Sequence, residues 1–180
     1  MEIQKYTKEN TKKGFLLAIL LLLGFNYPTY GKTSEFSLKS FRTDLEVETV
    51  DGKTKKLEEV LKGYHADKPI LIYIWASWCP DCMVEAPHLE NYLKSHSSDI
   101  SMLYFCVDKD RKAWLKKKKD LKYGGQSIRF PSGWSDKSFR KSIKLDWIPR
   151  YILIDKKAKV IHSYAIKISD KDLLKAIEAH

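Results

Sequence analysis

The chain has 180 residues, enough for one domain with a real core plus a short leader. Three cysteines are too few for the disulfide scaffold of a small secreted protein. The formal net charge of +10 is lopsided, with 20 Lys and Arg against 8 Asp and Glu in residues 109–180 and 13 against 15 before them; with no recognisable nucleic-acid motif beside the Lys116–Lys119 run, it reads as a solvated helix face rather than a docking site for an acidic partner or membrane.

Lys5, Lys8, Lys12 and Lys13 precede an apolar run from Phe15 to Leu23 that reaches about Phe25. A basic segment followed by a short apolar one describes a secretory signal, with Thr29 and Gly31 as the small residues before a cut after Gly31. Residues 1–31 are therefore expected to be a signal peptide or an uncleaved N-terminal anchor, the run being shorter than the ~20 residues of a spanning helix. No cysteine near the cut suits a lipid anchor. The domain, residues 35–180, is expected outside the cytoplasm, in a periplasmic or other extracytoplasmic space.

From Glu35 to Val50, alternating Phe36, Leu38, Phe41, Leu45 and Val47 predict strands, and Asp51-Gly52 a hairpin turn. Leu57 to Leu61 is a short helix ending near Gly63. Ile70 to Trp75 is unbroken apolar and aromatic, which suits a parallel strand buried on both faces. Pro80 is favoured at the first helical position because its missing N–H would be unpaired there. That puts Cys79 at or near the N-cap and Cys82 one turn inside, close enough to close a disulfide. The helix start offers free N–H groups and about half a positive charge, both of which stabilise a thiolate, making Cys79 an exposed nucleophile.

Cys82, Ala86, Leu89 and Leu93 line one helix face, interrupted by Pro87, with the helix ending around His96 to Ser98. Ile100 to Val107 is a second buried strand, reached by a right-handed crossover. Asp110 to Leu121 reads as a helix with Trp114 and Leu121 inward, broken at Tyr123-Gly124-Gly125. Arg129-Phe130-Pro131 is extended, and Ser135 to Ile143 a short helix turning Phe139 and Ile143 inward. Ile148-Pro149-Arg150 leads into the strand Tyr151–Asp155, Lys156-Lys157-Ala158 turns the chain, and Val160 to Ile166 is the antiparallel return. Ser169-Asp170-Lys171-Asp172 is similar to a capping box, opening a terminal helix with Leu173, Leu174 and Ile177 on its apolar face.

Trp75-Ala76-Ser77-Trp78-Cys79-Pro80-Asp81-Cys82 after a core strand resembles the active site of the thioredoxin superfamily. The strand–turn–short-helix preface is similar to its exported, TlpA-like members. The resemblance implies an α/β thioredoxin-like fold, a central mixed β-sheet flanked by helices on both faces. It also implies a cis bond at Pro149 facing the cysteines, with Ile148 offering its backbone to an extended substrate. Trp78 would form an apolar surface beside the sulfurs, and Trp75 would pack in the core. Pro87 matches the family's proline five residues past the second cysteine. Tyr73 stands where thioredoxin carries a buried aspartate; Glu85, one turn from Cys82, would be a substitute base or a structural hydrogen-bonder, or else a plain surface residue. Ala158 stands where the family often has glycine. Asp81, in place of the usual proline, should raise the Cys79 pKa by its charge and make the dithiol more reducing.

In that reading Cys79 attacks a substrate disulfide and Cys82 resolves the mixed disulfide, leaving a redox-active Cys79-Cys82 pair. A static disulfide is the duller alternative, but so short a loop constrains the unfolded chain little. A zinc site would need Cys106, His88 or His96, and His88 is off the cysteine face; no metal or other cofactor is expected. Cys106 reads as an inert core thiol. The expected protein is a monomeric thiol-disulfide oxidoreductase of exported proteins, exchanging with protein disulfide or dithiol substrates and an upstream electron donor or acceptor. It touches no nucleic acid, and a membrane only through an uncleaved leader. A thiol peroxidase-like enzyme and a thiol-based binding module for copper or haem-related cargo are the other classes.

Overall fold

Ile70–Trp75 forms a six-residue strand whose every side chain is buried, as an unbroken apolar run demands of a strand covered on both faces. The structure is a computed structural model that describes residues 42–64, 68–96, 99–122, 124–157 and 159–180. The expected signal or anchor of residues 1–31, the strand residues Phe36, Leu38 and Phe41, and the turn residue Ala158 lie outside the described residues.

The elements run β1 (Glu46–Thr49), β2 (Thr54–Lys56), α1 (Leu57–Gly63), β3 (Ile70–Trp75), α2 (Pro80–His96), β4 (Ser101–Cys106), α3 (Arg111–Lys118) and β5 (Gln126–Arg129). A 3-10 turn (Gly133–Ser135) then precedes α4 (Lys137–Ser142), β6 (Arg150–Ile154), β7 (Val160–Ala165) and α5 (Lys171–Glu178). Among the described residues the strands form one mixed sheet in the order β2-β1-β5-β4-β3-β6-β7. β3 lies between parallel β4 and antiparallel β6. Gly52 takes φ +84° in the β1–β2 turn, the left-handed conformation for which glycine is suited.

Paired residues share a face. Tyr73, Tyr104, Tyr151 and Ser127 look to one side, and Ile74, Phe105, Ile128 and Arg150 to the other. The first face meets α2, whose Glu85 bonds Tyr151, and α3, whose Trp114 indole donates to Ser127 Oγ at 3.2 Å. The second carries Phe105, Phe130 and Phe139 in consecutive ring contacts at 5.2 and 4.3 Å, which bring α4 onto the sheet. The result is an α/β thioredoxin-like fold. The CxxC strand reaches the same end of the sheet as the loop entering β6.

Three boundaries differ from the sequence reading, and at α4 and α5 a local cap decides the start. Asp110 caps α3 by accepting the Lys112 N–H at 2.7 Å, and the helix stops at Lys118, leaving Leu121 half-buried beyond it. Asp136, accepting the Phe139 N–H at 2.9 Å, starts α4 after the separate 3-10 turn. Asp170, not Ser169, caps α5 by accepting the N–H groups of Asp172 and Leu173.

Gly125, entering β5, has φ +135°, and a Cβ there would stand 2.6 Å from the Met102 carbonyl oxygen on β4. Gly125→Ala should cost about 2 kcal/mol or more through strain and the close backbone approach. Urea unfolding should show a lower midpoint; an unchanged one would contradict this packing.

Candidate active site

After β3 the chain turns through Ala76–Trp78, and the Cys79 N–H donates back to the Ala76 carbonyl at 3.2 Å. The Cys79 carbonyl accepts the Met83 N–H at 3.3 Å, so Cys79 is the N-cap of α2 and Pro80 its first residue. The Cys82 N–H, one of the helix's unpaired donors, points at Cys79 Sγ at 3.1 Å. The two cysteines are joined in a disulfide with Cα atoms 5.3 Å apart. Across from them Ile148-Pro149 is a cis peptide, and the Ile148 carbonyl oxygen lies 3.6 Å from Cys79 Sγ. Pro80 and Asp81 are exposed at the helix start, and Trp78 is 54% exposed.

Cys79 itself is only 4% exposed, a correction to the exposed nucleophile expected from sequence. The Ile148 carbonyl in front and the bonded Cys82 behind cover the sulfur. Cys82 is fully buried.

Behind the pair, Tyr73 donates its hydroxyl to the Cys82 carbonyl at 2.9 Å. Burial, with Glu85 and Tyr104 adding, pushes the Tyr73 hydroxyl far up, so it stays protonated. Glu85 is buried rather than a plain surface residue: its Oε1 accepts the Tyr151 hydroxyl at 3.0 Å and the Ile168 N–H at 2.6 Å. It ties α2 to β6 and to the chain leaving β7. Trp75 is fully buried, its indole N–H without a partner among the described residues.

Cys106 is buried in β4 and donates to Asp108 Oδ2 at 3.2 Å; burial and then the Asp108 charge keep it a thiol. His88 is exposed, and His96 stacks on Tyr92 at the far end of α2, about 21 Å along the axis from Cys82 at 1.5 Å per residue. Neither joins the cysteines, and the described residues hold no cluster of three or more metal-ligating side chains.

Sequence reasoning missed three contributors. Asp108, 2% exposed, accepts from the Ser77 N–H at 2.9 Å and hydroxyl at 3.1 Å, holding the loop two residues before Cys79. An acid directly after the buried run ending at Val107 was the available signal. Trp134 meets Trp78, the residue before Cys79, edge to face at 6.2 Å, and together with Ser77 and Ala113 they line a groove of about 510 Å³. Arg150, directly after the cis proline, is completely buried, which a lone arginine in sequence does not announce.

A family model described as Redoxin matches residues 35–177. Thioredoxin of Alicyclobacillus acidocaldarius is 36% identical over 49 residues, 27% of this chain and 47% of its own length. The thiol:disulfide interchange protein DsbE of Haemophilus influenzae is 27% identical over 108 residues, 60% of this chain and 56% of its own. The chain thus spans about half the length of the curated relatives it matches. A candidate thiol-disulfide oxidoreductase of Bacteroides vulgatus, known from a crystal structure, is 29% identical with a TM-score of 0.58, covering 75% of this chain and 90% of its own.

Glu85 holds two donors in a dry setting, so Glu85→Leu should leave both unpaired and cost about 2–4 kcal/mol. Glu85→Gln keeps an acceptor and should cost less than half as much. Thermal melts of both variants check the order, and equal losses would argue against the hydrogen-bonding account.

Proposed function

Because the chain belongs to the Redoxin family, we propose that it exchanges thiols and disulfides on exported proteins through the Cys79-Cys82 pair. The observation that carries the reading is the sulfur of Cys79 at a helix N-cap, facing both the Cys82 N–H and the cis Ile148-Pro149 carbonyl. The basic and apolar N-terminal sequence supports an extracytoplasmic setting.

In the reduced protein the Cys79 thiolate attacks one sulfur of a substrate disulfide. The substrate S–S bond breaks, a mixed disulfide forms, and the departing substrate thiolate takes up a proton. Cys82 then loses its proton and attacks the Cys79 sulfur, breaking the mixed disulfide and releasing the second substrate thiolate. The substrate leaves reduced by two electrons and the protein oxidised, so turnover requires a dithiol donor upstream. The Cys82 N–H that meets Cys79 Sγ would hold the thiolate and lower its pKa.

Ile148 and Pro149 would offer the substrate an extended backbone, with Trp78 as an apolar surface alongside. Pro80 presets the first turn of the helix. Glu85 supports the pair from behind by fixing α2 against β6.

The direct test is catalysed reduction of insulin by dithiothreitol. The intact chain should accelerate it, Cys79→Ser should abolish the acceleration, and Cys82→Ser should stall as a trapped mixed disulfide. A folded chain without such activity would end the proposal. Asp81 sits in the first turn of α2 beside the N-cap cysteine. Its negative charge disfavours a neighbouring thiolate, so Asp81→Asn should lower the Cys79 pKa and make the pair more oxidising in a glutathione titration. An unchanged or higher pKa from pH-dependent alkylation would refute the role of Asp81.

A further inference from the structure

Arg150 brings a permanent positive charge into the sheet directly beyond the cis Ile148-Pro149 bond, with its side chain 0% exposed. The exchange reaction has no use for it as an acid, base or nucleophile. Its guanidinium Nη2 donates to Asp146 in an ion pair, and Nη1 donates to the Lys144 carbonyl at 3.3 Å. The guanidinium carbon Cζ lies over the Tyr164 ring on β7, 3.6 Å from its centre. Nε is buried without a partner among the described residues. Burying such a group is costly, and in protein interiors apolar side chains of similar volume often replace buried ions without loss of stability. A stabilising role alone therefore explains the arginine poorly.

Its neighbours suggest another. Lys144 and Asp146 both belong to the segment that enters Ile148-Pro149, while Tyr164 belongs to the edge strand. Lys144 takes φ +50°, a strained backbone for a residue with a side chain. One planar cation thus joins a strained loop to the edge strand, through two donors and its contact over the Tyr164 ring, a combination that lysine cannot reproduce. The segment so held carries the Ile148 carbonyl that meets Cys79 and the exposed Trp147.

We propose that Arg150 is a positioning residue, which locks the 144–149 loop against Tyr164 and so sets how tightly a disulfide substrate docks beside Cys79. This rests on the oxidoreductase reading. Because the lock acts on loop position and not on the sulfurs, its loss should show in KM and leave the potential of the pair alone.

The test uses insulin as substrate, with the full chain and the variants Tyr164→Leu, Tyr164→Phe and Asp146→Ala. Tyr164 and Asp146 are exposed, so their variants remove the contacts of Arg150 without opening a cavity in the sheet. Tyr164→Leu and Asp146→Ala should raise KM about 5- to 20-fold with kcat within about twofold, the pattern of lost substrate positioning. Tyr164→Phe keeps the ring and should behave as wild type. The Cys79/Cys82 potential, read by glutathione titration, should be the same in all four proteins. An active wild type with unchanged KM in Tyr164→Leu and Asp146→Ala overturns the lock alone, as does a Tyr164→Phe variant as impaired as the leucine. A shifted potential would mean that the charge acts on the sulfurs instead and equally overturns it. A wild type that never reduces insulin overturns the oxidoreductase reading, and the lock with it.

Discussion

The first turn of a helix leaves backbone N–H groups without intrahelical partners, and in α2 one of these, from Cys82, is directed at a sulfur. The β3–α2 connection places that donor and that sulfur 3.1 Å apart. β3 is buried on both faces, so its end cannot wander, and Cys79 is delivered at a fixed height above the sheet. Pro80 starts the helix where its missing N–H costs nothing. A thiolate at this place would meet an oriented amide and the positive end of the helix dipole, whereas the buried thiol of Cys106 meets a carboxylate and stays protonated. Two cysteines in one domain thus face opposite chemistry because of what their neighbours offer.

The wall behind the pair is built differently from the one suggested by a buried acid in the preceding strand. Tyr73 fills that position, and its hydroxyl is committed to the Cys82 carbonyl rather than to a sulfur. Held protonated by burial, it accepts no proton at working pH. Its ring packs 5.0 Å from that of Tyr151, whose hydroxyl reaches Glu85. Glu85 in turn takes the Ile168 N–H from the segment after β7. The hydrogen bonds behind Cys82 therefore tie α2, β6 and the chain before α5 together, and the carboxylate is occupied with structural donors.

Much of this was legible in the sequence because it depends on local rules. The unbroken run Ile70–Trp75, the Asp51-Gly52 turn, the proline after Cys79 and the Cys82-Ala86-Leu89-Leu93 face each carry their own signal, and each element formed. The helix starts at Asp136 and Asp170 were missed by a residue or more because several capping side chains stood side by side, and tertiary packing chose between them. The burial of Asp108, Glu85 and Arg150 was illegible for a different reason. A charged side chain goes inside only when partners arrive from distant segments, such as Ser77 for Asp108 or Tyr164 for Arg150. The near-complete burial of Cys79 has the same origin, since the Ile148 carbonyl that covers it comes from 69 residues away.

Both strands of chain that flank the Cys79 sulfur are held by buried charges, and their signs differ. On one side Asp108, an acceptor, takes the N–H and hydroxyl of Ser77, so the loop before Cys79 is held through its donors. On the other Arg150, a donor, takes the Lys144 carbonyl and the Asp146 carboxylate, so the loop before Pro149 is held through its acceptors. The Asp108 side is braced once more, because Arg129 donates to the carbonyls of Asp108 and Lys109 while pairing with Glu48 from β1. Burial tends to push the Glu48 carboxyl up, but its bonds to Arg129 and Arg111 outweigh that and hold it below the usual carboxylate range, so the brace stays ionised. Apolar packing is tolerant of small slides, whereas a hydrogen bond to an ion weakens steeply with distance and angle. A site that must hold one carbonyl and one sulfur at a few ångströms gains from such directional contacts on both sides, even where each ion costs desolvation.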